Sequence, residues 1–323
     1  MYGGEGMSNH VLDGVMGLCV GDALGVPVEF MSRENLRKKP VSGMRGYGTH
    51  DQSAGTWSDD TSMTLCLVDS LSRGLDYEDI MSNFIKWFEK GEYTPYGEVF
   101  DMGVTTRRAL IRFKQGIPAI ECGGKNERDN GNGSLMRILP VVFYLQSIFG
   151  TDFTGIDQAY EVVHAVSSLS HAHRRSQIAC GIYISVASKL MSSITLETAV
   201  RSGISGAMEY YQGTKDYVLE LEHFERLNRR DFAAIPEDEV RSSGYVVDTL
   251  EAAIWCLLNT DNYRDCVLKA VNLGDDTDTV AAVAGGLAGL AYGYKGIPEE
   301  WVNEIARKEY IKDLCNQLYL SLT

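Results

Sequence analysis

Apolar positions along this chain recur at three- and four-residue steps nearly throughout, the period of helices that bury one face. Val11, Leu12, Val15, Met16 and Cys19 set the rhythm near the start. Ser58 has the form of an N-cap for a helix carrying Met63, Leu65, Cys66, Leu67 and Leu71, with Gly74 as its stop. The same pattern predicts helices over 77–90, 98–114, 133–148, 155–168, 172–192 and 196–212, and then over 245–259, 262–272, 277–293 and 298–319. Short runs such as Val141-Val142-Phe143-Tyr144 sit inside longer helical stretches. Without any alternation of strands and helices, the sheet-based classes are excluded and the expected fold is all-α.

Three segments depart from ordinary amphipathicity. The stretch from Val280 to Leu290 is built mainly of Ala, Gly and Val, and a helix apolar all round is a buried one. Near the N-terminus Gly17, Gly21 and Gly25 recur every four residues, which leaves one helix face bare for close packing. The stretch from Lys215 to Arg241 has the least pattern and reads as a solvated helix plus loop.

Composition narrows the class further. The chain has 323 residues, 44% hydrophobic and 23% charged, with no linker or fixed-period repeat, so one domain over 8–323 is expected. Residues 1–7 read as a flexible leader without the basic start and apolar core of a signal peptide. A net charge of −14 opposes general binding to nucleic-acid backbones. The seven cysteines are scattered and lack C-x-x-C spacing, which excludes a zinc site or disulfide framework of the usual kind. Val280–Tyr292 is too short and too rich in Gly to cross a bilayer. The expectation is a cytoplasmic enzyme without membrane partners.

Chemistry concentrates in two clusters, Ser58-Asp59-Asp60-Thr61-Ser62 and Gly274-Asp275-Asp276-Thr277-Asp278-Thr279. Each runs into an apolar segment. Ser, Thr and Asp are common helix caps, and one such cluster alone reads as a cap. Here Asp275, Asp276 and Asp278 crowd three acids into four positions, and their repulsion is a net cost unless a cation neutralises it. Oxygen-only donors suit hard divalent ions such as Mg²⁺ and Mn²⁺. Brought together, the clusters would surround one cavity with room for two metals and a substrate.

Other candidates are weaker alone. Asp22 and Glu29 are acids in an apolar segment, Asp22 read mainly as a cap or internal hydrogen-bond partner and Glu29 as an active-site rim residue. Asn130-Gly131-Asn132-Gly133-Ser134 is a Gly-rich turn entering a helix, able to bring backbone N–H groups to an anion, but without the G-K-[ST] of a P-loop. His171, in Ser170-His171-Ala172-His173, is either structural or substrate-facing. Two His two apart do not share a helix face, so this pair is no metal site. The absence of G-x-S-x-G removes support for serine-hydrolase chemistry.

Taken together, the chain resembles the ADP-ribosylglycohydrolase family, through GDALGVPVEF at 21–30, GTWSDDTS at 55–62, NGNGSLMR at 130–137, SHAH at 170–173 and NLGDDTDTVAAVAGGLAGLAYG at 272–293. The resemblance implies a compact, single-domain orthogonal helical bundle with a binuclear Mg²⁺ or Mn²⁺ centre that cleaves the bond between ADP-ribose and an acceptor. It implies Ser58, Asp59, Asp60, Asp276, Asp278 and Thr279 as metal ligands. Asp275 stands where many relatives have Gly and is left out. Asp59, Asp60 or Glu29 would act as acid or base, and Asn132, Gly133, Ser134, Glu29 and His171 would contact substrate. The expected partner is an ADP-ribosylated protein or a small ADP-ribosyl compound. Rival readings are hydrolysis of a free ADP-ribose metabolite, a catalytically inert homologue, and a metal-dependent nucleotide phosphohydrolase, whose His-Asp helical motifs are not found.

Overall fold

Gly17, Gly21 and Gly25 put the first helix in backbone contact with the small-residue helix near the other end of the chain. In the computed structural model, which describes residues 9–192 and 194–323, these are α1 (His10–Gly25) and, last but two in the helix order, Thr277–Tyr292. A Cβ on Gly21 would lie 2.6 Å from Ala281 C, and one on Gly17 would lie 3.0 Å from Gly289 Cα. Only glycine permits this approach, and it joins the two segments without intervening side chains. Tyr263 Oη donates to Gly17 O at 2.6 Å and closes the seam from one side.

The remaining helices wrap this pair. After α1 come α2 (Arg33–Lys38), α3 (Asp59–Leu71), α4 (Tyr77–Lys90) and α5 (Val104–Lys114). The middle of the chain supplies α6 (Pro140–Phe149), α7 (Asp157–Ser168), α8 (Arg174–Leu190) and α9 (Leu196–Gln212). The last third holds α10 (Val246–Leu258), α11 (Tyr263–Asn272), α12 (Thr277–Tyr292), α13 (Glu299–Glu304) and α14 (Lys308–Leu322). The fold is all-α, a single compact domain. Among the described residues, β structure is limited to two isolated bridges, Gly124 with His171 and Gly131 with Tyr245. By length and composition His10–Val28 could cross a membrane, but 94% of it is buried inside the fold against α12 and its neighbours.

Four predicted spans end differently, each for a local reason. The 98–114 span becomes helical only from Val104, after Asp101 at φ 56° breaks the run. Pro140, which lacks an N–H, divides 133–148 into a 3-10 segment Asn132–Arg137 and α6. The 298–319 span breaks at Arg307, φ 49°, whose guanidinium donates to Thr94 O at 2.7 Å. The stretch read as solvated, 215–241, is instead three short 3-10 segments that bury Phe224 and Phe232. Arg33 fastens its end by donating to Glu237 O and Val240 O at 2.5 Å each. The leader expected over 1–7 lies outside the described residues.

Candidate active site

The two acidic clusters, some 219 residues apart, meet where the N-termini of α3 and α12 converge. Thr279 Oγ1 donates to Asp60 Oδ1 at 3.3 Å, a direct link between them. Ser58 caps α3, its Oγ accepting from Asp60 N at 3.3 Å, and the helix then carries Asp59 and Asp60 inward. Asp276 precedes α12, its backbone N–H tied to Ser242 O at 3.0 Å. Behind both, the buried Asp22 accepts from Ser58 N at 3.0 Å, Thr61 N at 3.1 Å and Thr61 Oγ1 at 2.6 Å. Asp22 thus holds the first cluster in place, as an internal hydrogen-bond partner.

Glu29 approaches from a third direction. The 3-10 turn Val26–Val28 follows α1, and Pro27 sets its φ. Glu29, buried, is hydrogen-bonded to His50 Nε2, while Thr49 Oγ1 donates to Glu29 O at 2.7 Å. Carboxylate oxygens of Glu29, Asp276 and Asp278 all lie within 4.8 Å of one another, as do those of Asp22, Asp60 and Asp278. Asp278 belongs to both groups and is fully buried.

This crowding is electrostatically unfavourable without a counter-charge. Asp60 Oδ2 and Asp278 Oδ2 are buried and have no hydrogen-bond partner among the described residues. Burial, then mutual repulsion, pushes the carboxyls of Asp59, Asp60 and Asp278 well above the usual carboxylate range. Burial raises Asp276 as well, against donation from Asn132. Glu29 is pushed up to about 7 by burial, partly offset by His50, and Asp22 to about 6 by burial, partly offset by Thr61 and Ser58. Orphaned, buried, oxygen-only donors fit divalent cations, which supply the missing positive charge and the missing contacts.

A cavity of about 320 Å³ opens beside these groups, lined by Glu29, Phe30, Asp59, Asp101, Asn132, Gly133, His171, Asp276 and Thr279. Most of the expected site residues therefore meet there. Asn132 turns its amide onto the acid cluster, donating to Asp276 Oδ2 at 2.8 Å and Thr249 Oγ1 at 3.0 Å. Ser134, expected at the substrate, is fully buried and faces Ser167 Oγ at 3.0 Å and Cys180 Sγ, so its hydroxyl points into the core and the residue does not reach the cavity wall. Ser58 and Asp60 lie one layer behind the cavity wall. Asp275, exposed and at φ 66°, stands outside the carboxylate groups.

Sequence reasoning missed His50, Asp101, Thr249 and Thr106, the last of which also lines the cavity. His50 and Asp101 lie in loops with no motif around them, and their side chains meet Glu29 only through tertiary folding. The positive φ at Asp51 and Asp101 would have been the one local signal, and it is invisible in the sequence of an Asp-containing loop.

Buried carboxylates converging on a cleft mark an enzyme site. The sequence model of the ADP-ribosylglycohydrolase family matches residues 5–323. The chain is 34% identical over 309 residues to ADP-ribosylarginine hydrolase Tri1 of Serratia proteamaculans, covering 94% of this chain and 77% of that one. It is 30% identical over 317 residues to the ADP-ribosyl-[dinitrogen reductase] glycohydrolase of Rhodospirillum rubrum, covering 94% and 93%. A solved structure described as an ADP-ribosylglycohydrolase-related protein complex superposes with a TM-score of 0.77 at 29% identity, over 98% of both chains. The chain belongs to the ADP-ribosylglycohydrolase family and is a glycosidic-bond hydrolase.

Proposed function

We propose that this protein is a metal-dependent hydrolase that removes ADP-ribose from an acceptor side chain, with the arginine linkage as its substrate. The observation that carries the metal reading is the pair of buried oxygens on Asp60 and Asp278, contributed by opposite clusters, that have no partner among the described residues. Asp59, Asp276 and Thr279, with Ser58 at the edge, complete the oxygen set that would hold two Mg²⁺ or Mn²⁺ ions, and Glu29 stands within reach of it. Bound cations of this kind orient ribose hydroxyls and acidify a water. The arginine linkage is supported by the named activity of the Serratia relative.

The chain's own groups supply the rest of the chemistry. Breaking a glycosidic C–O or C–N bond needs a proton for the leaving group and a base for the attacking water. Asp59 and Glu29 both border the cavity, and Glu29, hydrogen-bonded to His50, stands outside the proposed ligand set. The water loses its proton to this pair, the leaving group takes one from it, and ADP-ribose departs with a new hydroxyl. Each such proton transfer contributes roughly 10²–10⁴ in rate. Asn132 fixes the Asp276 carboxylate, its own N–H donates to Gly244 O at 3.0 Å, and the flanking Gly131 and Gly133 bring bare backbone to the cavity where the diphosphate would lie.

The test is release of ADP-ribose from arginine-, serine- and nucleobase-linked substrates. EDTA should abolish release from the arginine conjugate, Mg²⁺ or Mn²⁺ should restore it, and Zn²⁺ should do so poorly because the donor set has no His or Cys. Full activity in metal-free buffer, or turnover of the serine conjugate alone, would refute the corresponding part.

A further inference from the structure

Arg137 ends the Gly-rich motif and takes no part in the carboxylate site, yet it is completely buried. Its Nη2 donates to Ser170 Oγ at 2.7 Å and to Val166 O at 3.4 Å, and its Cζ lies 5.0 Å from the Phe84 ring centre. Among the described residues Nε and Nη1 have no hydrogen-bond partner, and no carboxylate pairs with the guanidinium. Burial lowers its proton affinity to about 10, which still leaves it charged near neutral pH. An unpaired buried cation is costly, so its position calls for a reason beyond packing.

The next link is His171, whose Nδ1 lies 2.8 Å from the same Ser170 Oγ. A guanidinium can only donate, so Ser170 Oγ is its acceptor. The serine keeps one proton of its own, and Nδ1 is the acceptor within reach. Were Nδ1 protonated instead, it would also donate to Ser170, and the buried hydroxyl proton would have no partner. The imidazole is held in place from the backbone too: His171 N donates to Ser167 O at 2.8 Å, Ser167 Oγ donates to His171 O at 2.9 Å, and Gly124 N donates to Ser170 O at 2.8 Å.

The other ring nitrogen, Nε2, is on the substrate side. A Cβ on Gly131 would lie 3.5 Å from it and one on Gly133 3.4 Å, and His171 and both glycines line the active-site cavity. We infer that Arg137 and Ser170 act as positioning residues that lock His171 as the neutral Nε2–H tautomer, a fixed hydrogen-bond donor to an oxygen of ADP-ribose. The identity of the ligand rests on the proposed function; the tautomer does not.

Surrounding charges agree with a ring that stays neutral. Burial, followed by the Arg137 charge, lowers the His171 proton affinity to about 3, and Asp129 opposes this only weakly. A histidine on a cavity wall would ordinarily switch charge near pH 6.5. Here burial, reinforced by the arginine behind the ring, prevents the switch, so donation into the cavity is insensitive to pH over the working range.

Long-range ¹H–¹⁵N correlation spectra of histidine-labelled protein read the tautomer directly. The expected result is an unprotonated Nδ1 and a protonated Nε2, unchanged between pH 8 and pH 5.5. Ser170→Ala should move the Nδ1 resonance and weaken ADP-ribose binding about tenfold by calorimetry, with metal content unchanged. Ser170→Thr, which keeps the hydroxyl, should restore both. A wild-type spectrum of the Nδ1–H form or of the imidazolium would overturn the assignment, and so would wild-type ADP-ribose affinity in a folded Ser170→Ala protein. If the wild-type protein binds no ADP-ribose while the Nε2–H spectrum is observed, the functional reading fails and the lock stands.

Discussion

Replacing Gly25 by alanine should damage stability and catalysis together, and its magnitude can be worked from the α1–α12 seam. A Cβ at Gly25 would lie 2.5 Å from Thr277 C and closer still to Asp278 N and Cα. Ordinary contact begins near 3.4 Å, so the start of α12 must retreat by at least about 1 Å. That start carries Asp278 and Thr279, and Thr277 Oγ1 donates to Gly25 O at 2.8 Å. Overpacking against backbone costs about 3 kcal/mol, and the better helix propensity of alanine returns about 1, leaving a loss near 2 kcal/mol. With an unfolding entropy of about 2.1 cal/mol/K per residue, 323 residues give about 0.7 kcal/mol/K, so Tm should fall by about 3 °C. A 1 Å displacement of the acids should lower kcat by about 100-fold. Gly17→Ala supplies the control: it obstructs the same seam at Gly285 and Gly289, one and a half turns or more from the site, and should lower Tm while leaving kcat near wild type. Differential scanning calorimetry and steady-state kinetics measure both quantities. Wild-type Tm and kcat in Gly25→Ala, or an equal kcat loss in both variants, would refute the reasoning.

Further expectations concern the cations, the turn and pH. At 100 times its Kd, Mg²⁺ should raise unfolding free energy by about 2.7 kcal/mol, or Tm by about 4 °C; Asp60→Ala and Asp278→Asn should abolish that rise, which thermal scans with and without metal will show. Gly133→Val should weaken ADP-ribose binding at least tenfold, roughly 1.4 kcal/mol, because its Cβ would come within 2.8 Å of His171 Cε1 and 3.1 Å of Thr106 Oγ1; calorimetric titration of the folded variant decides it. His164, held between Tyr211 Oη at 2.8 Å and Tyr217 Oη at 2.9 Å, has its proton affinity lowered by burial to about 3. Between that value and about 6.5 the unfolded chain binds the proton and the folded chain does not, so stability falls as pH drops, by up to about 1.4 kcal/mol per unit. Urea titrations of the wild type and His164→Gln from pH 7 to pH 5 should show the shallower slope in the variant.

Much of the fold was legible because helical periodicity survives wherever one face is buried. Helices α4 and α9 begin and end at the residues the pattern predicts, each with an N-cap, Asp76 or Thr195, whose side chain accepts from the first turn. Breaks made by a single backbone torsion were not legible: Arg307 at φ 49° has no turn-forming residue to announce it. The 215–241 stretch misled for a different reason, since its buried Phe224 and Phe232 are too widely spaced to form a period. Within the site, acid density disclosed Asp59, Asp60, Asp276 and Asp278. It could not disclose that Ser134 faces the core or that Asn132 serves Asp276, because both depend on what stands opposite in space.

The glycine seam between α1 and α12 also governs the order of events during synthesis. The main packing partner of α1 is α12, some 250 positions downstream, so a nascent chain leaves the glycine face of that helix uncovered until nearly all of the chain has left the ribosome. Pairings of such sequence separation are slow to form and prone to wrong association in the interval. The acid clusters share that dependence, since Asp60 meets Thr279 only when α12 arrives. A ribosome-stalled chain ending before Thr277 should therefore remain protease-sensitive and bind no cation at this site, and both properties should appear together on release.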